Sequence, residues 1–142
     1  MMDTENTDRI DAGDTQTLTG IVVRGRALGR TIGFPTANLQ LDAGQTLPPQ
    51  GVYAAICETD GGTYAGMTNI GLRPTVDDSP RITVESWLND FSGDLYGRRM
   101  RIHLIARIRG VHRFDDLSAL QAQLMRDRAK AVRICAAYGE RK

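Results

Sequence analysis

The sequence predicts an all-β fold, a small antiparallel barrel, followed by a single C-terminal helix. Short segments of alternating apolar and polar residues, separated by glycine and proline turns, occupy most of residues 18–109. The segment 99–109 carries the longest such alternation. From Leu117 onward the apolar residues recur at spacings of three, four or seven, which is the stripe of an amphipathic helix.

Length and composition limit the classes of protein that the chain can form. Its 142 residues, 41% hydrophobic and 25% charged, are typical of one globular domain. The formal net charge of +1 gives no field that would attract nucleic acid or a membrane, and no apolar run is long enough to span one. Cys57 and Cys135 match no metal or redox spacing. We therefore expect a cytoplasmic monomer with reduced thiols and with no nucleic-acid or membrane partner.

The chain divides into a leader and one domain. Residues 1–17 are polar and lack the apolar segment of a signal peptide, so they are expected to be a disordered leader. Residues 18–142 form the predicted barrel domain. Its strands are predicted over residues 18–24, 36–41, 51–58, 63–69, 82–88 and 99–109. Asp60-Gly61-Gly62 predicts a hairpin turn, and Gly71-Leu72-Arg73-Pro74-Thr75 predicts the end of the fourth strand.

The last strand and the helix have the clearest side-chain patterns. Alternation predicts an apolar face on the last strand opposite a basic face. The apolar face comprises Met100, Ile102, Leu104, Ala106 and Ile108, and the basic face comprises Arg101, His103, Arg107 and Arg109, with Ile105 as the exception. The helix is expected to begin at an N-cap formed by Asp115 or Asp116 and to stop at Gly139. Its apolar stripe is expected to pack against the barrel or to close one end of it.

The segment Gly29-Arg30-Thr31-Ile32-Gly33-Phe34-Pro35-Thr36-Ala37-Asn38 holds the first candidate site. Pro35 favours an extended conformation at Phe34, so Thr36 and Asn38 are expected to share one face of the following strand. A hydroxyl and an amide oxygen beside glycine-loop N–H groups suit a Mg²⁺ ion that also binds substrate phosphates. A tight turn leading into a strand accounts for the same residues equally well. A Walker A loop is excluded, because its spacer is one residue short and arginine replaces lysine.

Glu85 is the second candidate. It lies in the middle of a predicted strand, on the same face as Thr83 and Trp87. A carboxylate in that position loses hydration unless it is paired or used. In a phosphoryl transfer it would accept the proton of the attacking hydroxyl. The ordinary alternative for a strand glutamate is a surface or edge position.

Arginines are dense around the last strand, in a stretch without an acidic residue. They are Arg98, Arg99, Arg101, Arg107, Arg109 and Arg113. Three interpretations stay open: a solvated strand face, an anion site with Arg109 and Arg113 near the barrel mouth, and contact with a nucleic-acid backbone. Aromatic residues are not interleaved with the arginines, which weakens the last interpretation.

Several motifs, taken together, resemble the riboflavin kinases (flavokinases). They are Gly33-Phe34-Pro35-Thr36-Ala37-Asn38, Asn69-Ile70-Gly71-Leu72-Arg73-Pro74-Thr75, Glu85 and Asp90-Phe91-Ser92-Gly93-Asp94-Leu95-Tyr96-Gly97, and the match continues through Arg109, Phe114, Asp115 and Asp127. The resemblance covers about residues 18–137. Any one of these motifs alone would be a weak signal, whereas their order and spacing together are specific.

The resemblance implies a six-stranded antiparallel Greek-key barrel with a C-terminal helix. It implies ATP-dependent phosphorylation of the ribityl 5′-hydroxyl of riboflavin, giving FMN and ADP. It implies that Thr36 and Asn38 hold Mg²⁺ against the nucleotide phosphates and that Glu85 is the catalytic base. The remaining implied binding residues are Gly25, Arg30, Gly33, Pro35 and Tyr96 on the nucleotide side, and Arg109 and Asp127 near the flavin.

Two positions differ from the pattern that the resemblance leads us to expect. Trp87 stands where histidine is common, and Val111 stands where a glutamate is often found. The presence of Thr36, Asn38 and Glu85 favours an active kinase over a non-catalytic flavin- or nucleotide-binding paralogue with a regulatory role. Bacterial relatives commonly carry an adenylyltransferase domain, for which this chain is too short, so we expect a single-domain form that stops at FMN.

Overall fold

A computed structural model describes residues 16–24, 36–74 and 80–141. Within these ranges the chain forms six strands and one helix. They are β1 (Gln16–Val23), β2 (Ala37–Leu41), β3 (Gly51–Thr59), β4 (Gly62–Pro74), β5 (Pro80–Leu88), β6 (Arg99–Arg109) and α1 (Leu117–Arg141). The strands close into an antiparallel barrel in the order β1-β2-β5-β4-β3-β6. Because β3, β4 and β5 are successive neighbours and β6 returns to lie beside β3, the barrel has the expected Greek-key topology.

Three predicted strand boundaries are wrong by two residues or more, one of them being the start of β5, which lies at Pro80 and not at residue 82. β1 begins at Gln16, so residues 16 and 17 belong to the barrel and not to the leader, whose other residues lie outside the described ranges. β4 does not stop near Gly71 but continues to Pro74, since β5 pairs with it as far as Pro80. Pairing with a neighbouring strand therefore overrides the local tendency of Gly71 and Pro74 to end a strand. The hairpin at Asp60-Gly61 is confirmed, with Thr59 paired to Gly62.

The barrel interior is a continuous apolar core. Its fully buried members include Leu18 of β1, Cys57 of β3 and Ile102 of β6, each 0% exposed. A polar pair sits inside it, where the hydroxyls of Thr68 and Ser86 are hydrogen-bonded at 2.7 Å. This pair satisfies two hydroxyls that burial would otherwise leave without a partner.

β6 contains two bulges that the sequence pattern did not reveal. In its register with β3, Ala55 pairs with Leu104 and Ala54 with Ala106, so Ile105 is an extra residue, and Ile108 is skipped in the same way. Leu104 therefore faces the interior, whereas Ile105, Ala106 and Ile108 belong to a second core on the outside of the barrel. The predicted single apolar face of this strand is wrong, because each bulge shifts the alternation by one residue.

The helix α1 covers that second core. It packs against β3, β4 and β6 on the outer face of the barrel, so the expectation of packing on the side, rather than closing an end, is the one that holds. Ala131, Ile134 and Cys135 of α1 are buried there against Ala54 and Trp87, among others. Although it is the longest element in the described residues, α1 does not combine the length and apolarity that crossing a membrane requires.

The two ends of α1 differ in how well they were predicted. Asp116 is the N-cap, because its Oδ1 accepts a 2.7 Å hydrogen bond from the backbone N–H of Ala119. The predicted stop at Gly139 is wrong. Gly139 does not adopt the positive φ of a left-handed helix terminus, and the helix continues through it to Arg141.

The N-cap gives a direct test of the fold. We expect Asp116→Ala to lower the free energy of unfolding by about 1 kcal/mol, because an N–H of the first turn of α1 loses its acceptor. Asp115→Ala is the matched control and is expected to change it by less than half as much. Urea denaturation monitored by circular dichroism measures both values, and equal losses in the two variants would contradict the assignment of the cap.

Candidate active site

One lateral row of residues crosses the outer face of the barrel. Asn38 of β2 pairs with Glu85 of β5, Glu85 with Asn69 of β4, Asn69 with Val52 of β3, and Val52 with Arg109 of β6. Directly paired residues of antiparallel strands point to the same face, with Cβ atoms about 5 Å apart. The row therefore brings an amide, a carboxylate and a second amide side by side on three neighbouring strands.

Thr36 and Asn38 stand at the edge of this row. Both side chains are half-buried, and Thr36 is the residue immediately before β2. Asn38 is the direct neighbour of Glu85, which is also half-buried. The structure thus places the predicted amide next to the predicted carboxylate, across the same strand pair that closes the barrel.

The donors at this position are all hard oxygens. The hydroxyl of Thr36, the amide oxygen of Asn38 and the carboxylate of Glu85 are the ligand types that Mg²⁺ prefers. Among the described residues no group of three or more His, Cys, Asp or Glu side chains could hold a metal by itself. A metal here would therefore take most of its ligands from water and substrate phosphates, which is the usual state of Mg²⁺ beside a nucleotide.

Arg109 and Asp127 form a buried ion pair at the other end of the row. Nε of Arg109 donates a hydrogen bond to Oδ2 of Asp127 at 2.9 Å, and a terminal nitrogen of Arg109 lies 2.8 Å from the same oxygen. The Asp127 side chain is only 2% exposed. Gln123 donates from Nε2 to the other oxygen, Oδ1, at 2.8 Å. Both carboxylate oxygens are therefore occupied, which is what allows the charge to remain buried. The pair joins β6 to α1.

An open pocket of about 260 Å³ lies over this ion pair. It is lined by Arg109, Gly110, Val111, His112 and Gln123. The rings of His112 and Phe114 meet edge to face at 4.7 Å, and Cζ of Arg109 lies 5.6 Å from the centroid of the Phe114 ring. Aromatic edges and a guanidinium held rigidly by a buried carboxylate suit a flat, conjugated ring.

Tyr96 lies near the start of the glycine-rich loop. Its side chain is half exposed, and Cζ of Arg24, the residue before Gly25, lies 4.1 Å from its ring centroid. Gly25, Arg30, Gly33 and Pro35 are outside the described residues. The roles predicted for these four residues and for Tyr96 therefore stay predictions.

The arginines just before and at the start of β6 have acidic partners that come from other parts of the chain. Arg98 pairs with Asp60 at 2.7 Å, Arg99 with Asp42, and Arg101 with Glu58 at 3.6 Å. The hydrogen bond from His103, at 2.8 Å, lowers the pKa of Glu58 further than the neighbouring arginine does. This part of the basic face is an ion-paired, solvated surface, which favours the first of the three interpretations of the arginine-rich stretch.

Sequence reasoning missed several members of the site. Asn69 belongs to a motif that had been noted, but its place beside Glu85 follows only from the strand register. Gln123 stands four residues before Asp127, a spacing at which side chains of a helix are neighbours. That spacing could have predicted the contact between the two residues. For His112 no signal existed, because its neighbours are set by an irregular loop.

The fold and these two candidate sites define a closed Greek-key β-barrel with a C-terminal helix, a polar row on its outer wall and a pocket at the end of β6. The sequence profile of the flavokinase family, described as riboflavin kinase, matches residues 12–135. The chain therefore belongs to the riboflavin kinase family, and the resemblance noted in the sequence is confirmed.

Known relatives agree with this assignment. The chain is 39% identical over 125 residues to the bifunctional riboflavin kinase/FMN adenylyltransferase of Bacillus subtilis, covering 85% of this chain and 39% of that protein. It is 38% identical over 110 residues to the RNA-binding riboflavin kinase RibR of the same organism, covering 78% of this chain and 47% of that one. The chain spans about two fifths of the length of the first of these relatives.

A solved structure shows the same barrel. The crystal structure of riboflavin kinase from Trypanosoma brucei superposes with a TM-score of 0.56 at 25% identity, covering 84% of this chain and 76% of that one. The Greek-key barrel with a C-terminal helix is thus shared with an experimentally determined member of the family.

The buried ion pair provides a test of how the pocket is built. We expect Asp127→Ala to lower the free energy of unfolding by about 3 kcal/mol, since it leaves the largely buried guanidinium of Arg109 without its counter-charge. Asp60→Ala, which removes the partner of the exposed Arg98, is expected to cost less than about 1 kcal/mol. Urea denaturation of both variants makes the comparison, and a loss for Asp127→Ala no larger than for Asp60→Ala would show that the pair does not hold α1 to β6.

Proposed function

We propose that this protein is an ATP-dependent riboflavin kinase, which transfers the γ-phosphoryl group of ATP to the ribityl 5′-hydroxyl of riboflavin and gives FMN and ADP. The observation that carries the proposal is the direct pairing of Asn38 with Glu85 on the outer face of the barrel, in a chain of this family. In a protein that only binds its ligands, a carboxylate next to a metal–phosphate site would repel the phosphate without contributing to a reaction. A base that accepts a proton accounts for it.

Glu85 is the proposed general base. Its carboxylate accepts the proton of the 5′-hydroxyl as that oxygen bonds to the γ-phosphorus, and the bond to the β–γ bridging oxygen breaks so that ADP leaves. Asn69 and Asn38 flank Glu85 in the row, and their amides orient the substrate groups around it. Such a site acts by positioning and needs no covalent enzyme intermediate.

Thr36 and Asn38 are the residues proposed to hold Mg²⁺. When bound, the ion neutralises phosphate charge as the γ-phosphoryl group moves. Gly25, Arg30, Gly33 and Pro35 are proposed to contact the nucleotide phosphates from the glycine-rich loop. Tyr96, near the start of that loop, is proposed to lie on the nucleotide side.

The isoalloxazine ring is proposed to bind in the pocket over the Arg109–Asp127 pair. That pocket offers the His112 ring and the guanidinium of Arg109 to a flat ring, and the Phe114 ring packs against both of them. Arg109 and Glu85 are three strands apart along the row, or about 14 Å at an interstrand spacing of about 4.8 Å. The ribityl chain would run along this row and bring its 5′-hydroxyl towards Glu85.

The cysteines support the proposed cytoplasmic location. Cys57 and Cys135 are both free and buried, as expected in a reducing compartment. Burial raises the pKa of the Cys57 thiol to about 12, so it stays protonated and unreactive at neutral pH.

A kinase assay tests the proposal. With riboflavin, ATP and Mg²⁺, we expect the wild-type protein to form FMN, and Glu85→Gln to lower kcat by a factor on the order of 10² to 10⁴, the range for a positioned base. Glu58→Gln, which neutralises an exposed glutamate on another strand, is the matched control and is expected to retain full turnover. Riboflavin binding, followed by quenching of its fluorescence, should be unchanged in both variants.

Two results would contradict the proposal. Riboflavin binding by the wild-type protein without FMN formation would make it a non-catalytic flavin-binding paralogue. Near-normal turnover of Glu85→Gln, with FMN formed by the wild type, would remove Glu85 from the mechanism.

A further inference from the structure

A guanidinium lies on the outer face of the barrel beside the row of Glu85. Cζ of Arg128, on α1, is 4.6 Å from the centroid of the Trp87 ring. Trp87 is only 6% exposed and forms part of the core beneath α1, whereas Arg128 is exposed. A cation stacked on a buried indole is held in one position, although the long arginine side chain itself faces solvent.

This position is next to the candidate metal–phosphate site. Trp87 and Glu85 are two residues apart on β5, so they share the outer face and their Cα atoms lie about 7 Å apart. In the register of β2 with β5, Ala37 pairs with Ser86 and Asn38 with Glu85. Thr36 immediately precedes Ala37, so continuing that register by one residue beyond β2 would set it opposite Trp87. Arg128 therefore borders the group formed by Thr36, Asn38 and Glu85.

We propose that Arg128 is a phosphate-binding residue of the nucleotide site, held in place by Trp87. The inference rests on the proposed kinase function. Thr36 and Asn38 are neutral and Glu85 is negative, whereas a magnesium-bound nucleotide polyphosphate keeps a net negative charge. An arginine on this side of the group adds positive charge to that proposed for Arg30, and it can donate two parallel hydrogen bonds to a phosphate.

The orientation of α1 explains why Arg128 contacts Trp87. Asp127, the preceding residue, is buried against Arg109 of β6. Consecutive helical residues point about 100° apart, so fixing Asp127 towards β6 directs Arg128 to a different flank of the helix, where β5 lies. The ion pair and the Arg128–Trp87 stack thus hold α1 at two points, one beside each of the two sites.

Nucleotide binding in the absence of riboflavin tests the proposal without requiring turnover. We expect Arg128→Gln to weaken the binding of Mg²⁺–ADP, measured by isothermal titration calorimetry, by about tenfold, the effect of losing one charge-assisted hydrogen bond. Arg133→Gln is the matched control. It removes the same charge from an exposed position about 140° away around the same helix, and we expect less than a twofold change.

Steady-state kinetics give a second readout. Arg128→Gln is expected to raise the KM for ATP about tenfold and to leave the KM for riboflavin unchanged, since the flavin pocket lies at the other end of the row. Arg128→Lys should bind Mg²⁺–ADP more tightly than Arg128→Gln and less tightly than the wild type, because lysine keeps the positive charge but lacks the paired N–H donors of a guanidinium. Trp87→Phe, which keeps a smaller aromatic face, should weaken Mg²⁺–ADP binding less than Arg128→Gln does.

The outcomes separate this inference from the proposed function. If the wild-type protein forms FMN and Arg128→Gln binds Mg²⁺–ADP as tightly as Arg133→Gln, the inference is overturned and the kinase function stands. If the wild-type protein binds Mg²⁺–ADP but forms no FMN, the kinase function fails, while a tenfold loss confined to Arg128→Gln still supports the phosphate-binding role.

Discussion

The ladder between β2 and β5 is the constraint on which the barrel and the candidate site both depend. It consists of two register pairs, Ala37 with Ser86 and Asn38 with Glu85. These pairs close the barrel, because β2 is joined to β1 on its other edge and β5 to β4. The same pairs bring the motif that carries Thr36 and Asn38 beside the carboxylate of Glu85. Closure of the sheet and assembly of the site are thus one structural event.

The helix α1 packs beside both candidate sites. Its apolar stripe covers the second core, to which β6 contributes Ile105, Ala106 and Ile108 because two bulges shift the alternation of that strand. Asp127 anchors the helix to Arg109, and Arg128 rests on Trp87. The buried pair is costly to desolvate and specifies orientation rather than adding much stability, whereas the apolar contacts supply most of the binding energy of the helix.

The sequence predicted what local patterns determine. Apolar–polar patterns and turn residues located the six strands of the described residues, and the Asp60-Gly61 turn was found from its composition. Thr36, Asn38 and Glu85 were predicted as site residues from chemistry and motif spacing, and the structure places Asn38 beside Glu85. What it missed depends on contacts between distant segments. The bulge at Ile105 and the extension of β4 to Pro74 are decided by the partner strands. The strand register sets Asn69 next to Glu85, and the orientation of α1 sets Arg128 on Trp87. Neither the register nor the orientation can be predicted from a single strand or helix.

The central claim is that the phosphate end of the substrates binds on the outer wall of the barrel, at the Asn38–Glu85 pair. A crystal structure of the protein grown with Mg²⁺–ADP and FMN measures this directly. The account predicts a Glu85 carboxylate oxygen about 3 Å from the ribityl 5′-oxygen or the phosphate attached to it, with the metal bound to the oxygens of Thr36 and Asn38. Ligands seated elsewhere, with Glu85 contacting neither the ribityl chain nor a phosphate, would contradict it.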